Sequence, residues 1–395
     1  MRAQIRRAVG RRIGPAIDLA RTLESFERTA WLYRLRGAAP TGEQRFRTPK
    51  PPSAADQELC RRLIDAYRLA MSESPPPSGM WSHSVFDERQ RELKNALTQG
   101  SPQAVAELLG SMFQSDFVLG MAPGSLVSKQ QTKPMRRLFW LGSMNKLVAL
   151  AEGLGTVRTE NPEQGRTGAA LRPGADRVVR DLEAELGLSL DFPDVGAAYG
   201  VVVGGRLITP ESPDQIYGAA RLRDVIGAYV RPADDVPQIV EIGGGYGGMA
   251  YWLLQLVEAR YVIVDLPIVG VLQGYFLSQA LGHERVSLYG EPPADVTLFP
   301  DHALSSVPTP FDVLANKDSL PEIPFEAALG YIEWARANCR GAFYSNNQES
   351  AAAVESVEQN VVCELVERVG GLTRVRRDAS WVRSGYVEEV FLPAV

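Results

Sequence analysis

Five glycines in six residues, Gly243 to Gly248 with only Tyr246 between them, follow directly on the apolar run QIVEI (238–242) and lead into the apolar stretch MAYWLLQLV (249–257). Glycine reaches backbone conformations closed to other residues, and it costs stability wherever that freedom goes unused. A strand that breaks into such a turn and then enters a helix is the opening of a βαβ unit, with free N–H groups at the start of the helix. The residues that follow keep the same grammar. Short apolar runs at 238–242, 261–265, 286–289, 312–316 and 341–345 are expected as strands, with helices at 247–259, 268–281, 323–337 and 354–369. LTRVRR (372–377) and YVEEVFL (386–392) are expected to close the chain as an antiparallel pair.

Read literally, Gly243-x-Gly245-x-x-Gly248 matches a dinucleotide fingerprint, which alone is a weak signal. Two acids alter its meaning. Glu241 stands two positions before the first glycine, and Asp265 ends the next strand in YVIVDLP. An acid before the glycines can meet a ligand ammonium, and an acid at the tip of the second strand can accept both hydroxyls of a ribose. A methionine-nucleoside cofactor carries both groups. A dinucleotide fold needs two mononucleotide halves and six parallel strands, whereas this chain offers a hairpin after its fifth strand. The reading is an α/β fold: a C-terminal Rossmann-like sheet of seven strands, mostly parallel with the last antiparallel, and a helical N-terminal lobe. A dinucleotide site and a glycine turn without a ligand are the weaker readings.

EIGGGYGGMAYWL, YVIVDLP with Gln273 and Tyr275 shortly after it, ANKDSLPEI (315–323) and FYSNNQE (343–349) together resemble the bacterial sugar O-methyltransferase family. The resemblance covers roughly 200–395 and is looser before it, where it rests on MWSHSVF (80–86) and a helical lobe of similar length. It implies S-adenosylmethionine as methyl donor and a sugar hydroxyl, on a glycan or glycosylated metabolite, as acceptor. Expected cofactor contacts are Glu241, Gly243, Gly245, Gly247, Asp265, Leu266 and Asn316. The alternatives are an O-methyltransferase for a polyketide or phenol hydroxyl and a non-catalytic partner that keeps the nucleotide fold.

Methyl transfer to oxygen is an in-line displacement that needs a proton acceptor. Three histidines limit the search. His283 and His302 read as surface or helix-start residues, while His83, between Trp81 and Phe86, is the histidine to weigh. Asp318 and Glu322 follow the fourth strand at the edge where open α/β sheets bind ligands. The expected catalytic set is therefore Asp318, Glu322 and His83, with a divalent cation such as Mg²⁺ on the two acids as a further option. Asp318 capping a turn and Glu322 starting a helix are the structural alternatives.

Charge divides the chain unevenly. Residues 1–50 hold twelve Lys/Arg against four acids, a local +8 in a chain whose total is -5, so the remainder carries -13. Ile5, Val9, Ile13, Ile17, Leu23, Phe26 and Leu32 lay an apolar stripe through this segment, as in an amphipathic helix. Packing of that helix on its own domain is favoured over peripheral contact with an anionic membrane, and nucleic acid is not expected as a partner. Pro49, Pro51 and Pro52 end the segment. Helices are then expected at 56–71, 85–98, 102–119, 135–152 and 175–187, with the polar stretch 156–174 as a loop or lid. The division is 1–50 basic segment, 51–200 helical lobe and 201–395 catalytic domain. No apolar run approaches the ~18–20 residues of a membrane span, and no secretory leader is visible, so a cytoplasmic protein is expected. Cys60, Cys339 and Cys363 are widely spaced and read as buried thiols without a disulfide or zinc pattern.

Overall fold

The computed structural model describes residues 43–73, 84–118, 120–122, 133–159, 174–232, 236–351, 353–354 and 357–394. The basic helical stripe, His83 and most of the stretch expected as a loop or lid lie outside the described residues.

An eight-stranded sheet organises the C-terminal half. Its strands are β1 (Gln238–Ile242), β2 (Arg260–Asp265), β3 (Val286–Ser287), β4 (Val296–Pro300), β5 (Phe311–Lys317), β6 (Cys339–Gln348), β7 (Leu372–Ala379) and β8 (Tyr386–Pro393). Their spatial order is β7-β8-β6-β5-β1-β2-β4-β3. Strands β1 to β6 pair in parallel, and β8 runs antiparallel to both β6 and β7. This is a Rossmann-like α/β sheet with one reversed strand, wedged between β6 and β7. It differs from the expected seven strands through β4, whose VTLFP was not read as a strand, while the expected 286–289 shrinks to the two-residue edge strand β3.

Ten helices surround and extend the sheet among the described residues: α1 (Ala54–Glu73), α2 (Ser84–Gln99), α3 (Pro102–Leu109), α4 (Lys133–Gly153), α5 (Ala175–Leu186), α6 (Ser212–Tyr229), α7 (Gly248–Leu256), α8 (Pro267–Leu281), α9 (Phe325–Asn338) and α10 (Val362–Val369). Local chemistry fixes several ends. Ser101 Oγ accepts from the Ala104 N–H at the start of α3, and α5 stops at Gly187 in the left-handed region (φ 70°). The expected helix 102–119 is α3 followed by two single 3₁₀ turns, and the expected helix 354–369 begins only at Val362.

The lobe is not all helical. Glu43–Phe46, Tyr199–Val203 and Arg206–Ile208 form a small antiparallel sheet, so the boundary expected at 200/201 falls inside a strand. Nor is the lobe separate. Helix α1 lies on α8, where Gly274 leaves room: a Cβ there would stand 2.7 Å from Leu63 Cδ2 and 2.6 Å from Leu288 Cδ2. One continuous buried cluster joins Leu59, Leu63, Trp140 and Leu147 of the lobe to Ile239, Trp252 and Phe276 of the sheet half. Cys60 and Cys339 are buried as expected, and Cys363 is half-buried.

Candidate active site

The turn after β1 holds Gly243, Gly245 and Gly247 at φ 71°, 57° and 91°, the region that favours glycine. Two of the three are also sterically required. A Cβ at Gly243 would meet Ser319 Oγ at 2.2 Å and one at Gly247 would meet Leu277 at 2.9 Å, whereas at Gly245 the nearest atom is Met121 Cγ at 3.6 Å. Gly245 is thus the open face of the turn, with Met121 of the lobe beside it.

Glu241 lies beneath this turn. It is 1% exposed, accepts a hydrogen bond from the Tyr261 hydroxyl (3.0 Å), and its Oε2 would stand 2.9 Å from a Cβ on Gly244. Burial pushes its carboxyl up to about 7. Glu241 thus braces the turn from beneath, at the position expected to meet a ligand ammonium. Asn316, also expected at the cofactor, holds the turn from the other side. Fully buried opposite Ile242, it donates to the Ile242 carbonyl (2.8 Å) and Ser319 Oγ (2.6 Å), and its Oδ1 accepts from Asn347 Nδ2 (2.9 Å). With its amide used in this way, it clamps the turn to β5.

Asp265 ends β2 beside Pro300 of β4. Its Oδ1 accepts from the Leu266 N–H and its Oδ2 from Gln273 Nε2, both at 2.8 Å. Gln273, noticed in the sequence without a role, fixes the carboxylate's orientation. Burial raises the Asp265 carboxyl to about 7, against the pull of those donors. A narrow, half-open cleft lies beside it, walled by Leu63, Tyr67 and Ala70 of α1 and by Leu266, Phe299 and Pro300 of the sheet edge. A slot of apolar walls with one carboxylate at its lip suits a planar base joined to a diol.

On the other side of the turn, the sheet edge is charged. Lys317, 5% exposed at its side chain, places Nζ 2.7 Å from both Asp214 of α6 and Asp318, and Arg383 reaches the other Asp318 oxygen at 2.6 Å. Asp318 sits at φ 70°, a conformation that aspartate tolerates better than most residues. Burial alone would raise its carboxyl, but Lys317 and Arg383 prevail and hold it at about 2. Asp318, expected in the catalytic set, thus has both oxygens facing cations. Glu322 closes a single 3₁₀ turn, half-buried, with its N–H donating to the Ser319 carbonyl. The group of acids and thiols that does converge among the described residues is Glu349, Cys363 and Glu389, and Arg377 binds both of its carboxylates. His302 starts a 3₁₀ helix after β4 as expected, and His283 lies half-buried at a turn whose carbonyl accepts from Arg62.

The residue that the sequence reading passed over is Glu211. It precedes α6, whose start is fixed by reciprocal bonds between Thr209 and Ser212 and by Pro213 in the first turn. The signal was present in TPESPD, but α6 is buried on most of its faces and shows no apolar stripe to flag it.

No family model matches the chain, and no curated protein matches it. Among solved structures it is similar to mitomycin 7-O-methyltransferase (15% identity over 85% of this chain and 94% of that one, TM-score 0.37). It is also similar to magnesium protoporphyrin IX methyltransferase from Synechocystis with bound SAM (15%, 46% and 80%, TM-score 0.32) and to the N-terminal domain of EvdMO1 in the presence of SAH and D-fucose (10%, 46% and 83%, TM-score 0.32). At such scores the likenesses add nothing to what the strand order establishes.

Proposed function

We propose that the protein is an S-adenosylmethionine-dependent O-methyltransferase acting on a sugar hydroxyl. The observation that carries this reading is the juxtaposition of a left-handed glycine turn, open at Gly245, with the Asp265 carboxylate and the apolar cavity beside it. The residues fit the cofactor. Asp265 retains lone pairs for the two ribose hydroxyls after accepting from Leu266 and Gln273; Leu266, Phe299 and Pro300 offer apolar walls to the base; and the Gly245 face leaves space for the amino-acid arm. Bound there, the cofactor would supply an activated methyl group on a sulfonium centre. The protein's part is then to hold the hydroxyl in line, exclude water and take up a proton. The acceptor side would be the charged edge around Lys317 and Arg383, where the side-chain amide oxygens of Asn346 and Asn347 are buried without partners among the described residues, groups suited to hydroxyl donors.

Calorimetric titration with S-adenosylhomocysteine tests the cofactor. Binding is expected, and Asp265→Ala is expected to weaken it by roughly 1.5–3 kcal/mol, the scale of hydrogen bonds to a charged group. Binding of NADH in place of the homocysteine nucleoside would overturn the reading. Transfer of labelled methyl to methyl glycosides, set against phenols, tests the acceptor class.

A further inference from the structure

Methylation of a hydroxyl releases a proton, and most carboxyls near the glycine turn are already committed to other groups. Asp318 and Asp214 accept from Lys317, Asp265 accepts from Leu266 and Gln273, and Glu241 is enclosed with Tyr261. Glu211 is different. Apart from its own backbone N–H, no described residue donates a hydrogen bond to its carboxyl. It stands immediately before α6, its carbonyl accepting from the Asp214 N–H at 3.0 Å, so the Asp214–Lys317 pair lies within the next turn. Lys146 of α4 approaches from the lobe and donates to the neighbouring Pro210 carbonyl at 3.4 Å. Tyr246, inside the glycine turn, feels the charges of both Glu211 and Asp214. Glu211 thus stands between α4 of the lobe and the charged end of β5.

We propose that Glu211 takes the proton of the acceptor hydroxyl. The inference rests on the methyltransferase reading above. In the step, the hydroxyl oxygen forms a bond to the methyl carbon, the carbon–sulfur bond breaks with its electron pair going to sulfur, and the hydroxyl proton passes to the Glu211 carboxylate. Burial drives the Glu211 carboxyl up to about 7, Lys146 and Lys317 draw it down, and Asp214 drives it up. Arg383, 3.9 Å from Asp214, completes the charged groups facing this corner. A base of that strength is ionised at mildly alkaline pH and still binds a proton well.

The test compares the full chain with Glu211→Gln and Glu211→Asp. Difference infrared spectroscopy of the ligand-free protein is expected to show carboxyl signal titrating near neutral pH, part of which disappears in Glu211→Gln. S-adenosylhomocysteine should bind this variant as it binds the wild type, while methyl transfer to methyl glycosides falls by roughly 10²-fold or more and loses its acid limb. Glu211→Asp should recover part of the rate. An unchanged pH profile in Glu211→Gln overturns the proposal. So does a loss of homocysteine-nucleoside binding with the infrared titration intact, which would make Glu211 a cofactor contact. Failure of the wild type to bind the nucleoside at all would instead sink the methyltransferase reading.

Discussion

At the scale of single residues, the carboxyls around the glycine turn fall into two classes. Glu211, Glu241 and Asp265 are each raised to about 7 by burial, whereas burial of Asp318 is outweighed by Lys317 and Arg383, which hold it at about 2. The signs of their effects on stability are opposite. A carboxyl whose folded pKa lies above its unfolded value keeps a proton that the unfolded chain has lost, so its contribution is complete below about pH 4 and disappears as pH rises through 7. Asp318 contributes above its ordinary 3.8 and loses that contribution as pH falls towards 2. The ligand-free protein is therefore expected to be most stable near pH 4–5 and to lose on the order of a few kcal/mol by pH 8. Thermal unfolding across that range reads it directly, and a melting temperature that rises from pH 5 to pH 8 would contradict it. In Glu241→Gln, which has no proton to release, the slope should be shallower.

At the scale of elements, the glycine turn separates folding from binding. At Gly243 an added methyl would strike Ser319, which is itself bonded to the Ile242 carbonyl at 2.8 Å, so the clamp between β1 and β5 has to give. At Gly245 the same methyl meets only Met121, at ordinary van der Waals distance, and carries only the left-handed backbone cost of about 1–2 kcal/mol. Gly243→Ala is accordingly expected to lower the melting temperature more than Gly245→Ala, and Gly245→Ala to lose nucleoside affinity while staying folded. Equal loss of stability in the two variants would refute this division. The turn and its strands were legible in the sequence because β1, β2 and β5 are buried on both faces and appear as continuous apolar runs. Strand β4 was not, since VTLFP ends in proline. The start of α10 was misjudged for a tertiary reason: Asn360 donates to the carbonyls of Leu320 and Ile323, fixing an extended approach where composition alone favours helix. The roles of Glu241 and Asn316 were illegible because each depends on a partner from another strand or turn, Tyr261 in one case and Ser319 in the other.

At the scale of the whole molecule, the lobe is part of the site and part of the core. Helix α1 supplies one wall of the cavity at Asp265, Met121 stands over Gly245, and Lys146 reaches the start of α6. The attachment on the α1 side is both apolar and ionic. Leu63 packs against the gap at Gly274, and Arg62 binds Glu291 through two N–H groups at 2.7 and 2.6 Å while also donating to the Val286 carbonyl. Such a fork is worth more than a single surface pair, because each guanidinium donor meets an acceptor of matching geometry. A sheet domain cut at residue 201 would expose the α8 face at Gly274 that Leu63 now covers, and would divide the strand Tyr199–Val203. Each buried apolar side chain of α8 that loses this cover forfeits up to about 1.5–3 kcal/mol, against a whole stability margin of about 5–15 kcal/mol for an ordinary domain. The fragment 201–395 is therefore expected to be compact but poorly packed, with far-ultraviolet dichroism retained, near-ultraviolet dichroism lost and no nucleoside binding. A fragment that unfolds cooperatively and binds S-adenosylhomocysteine as the full chain does would show that the lobe serves the acceptor side alone.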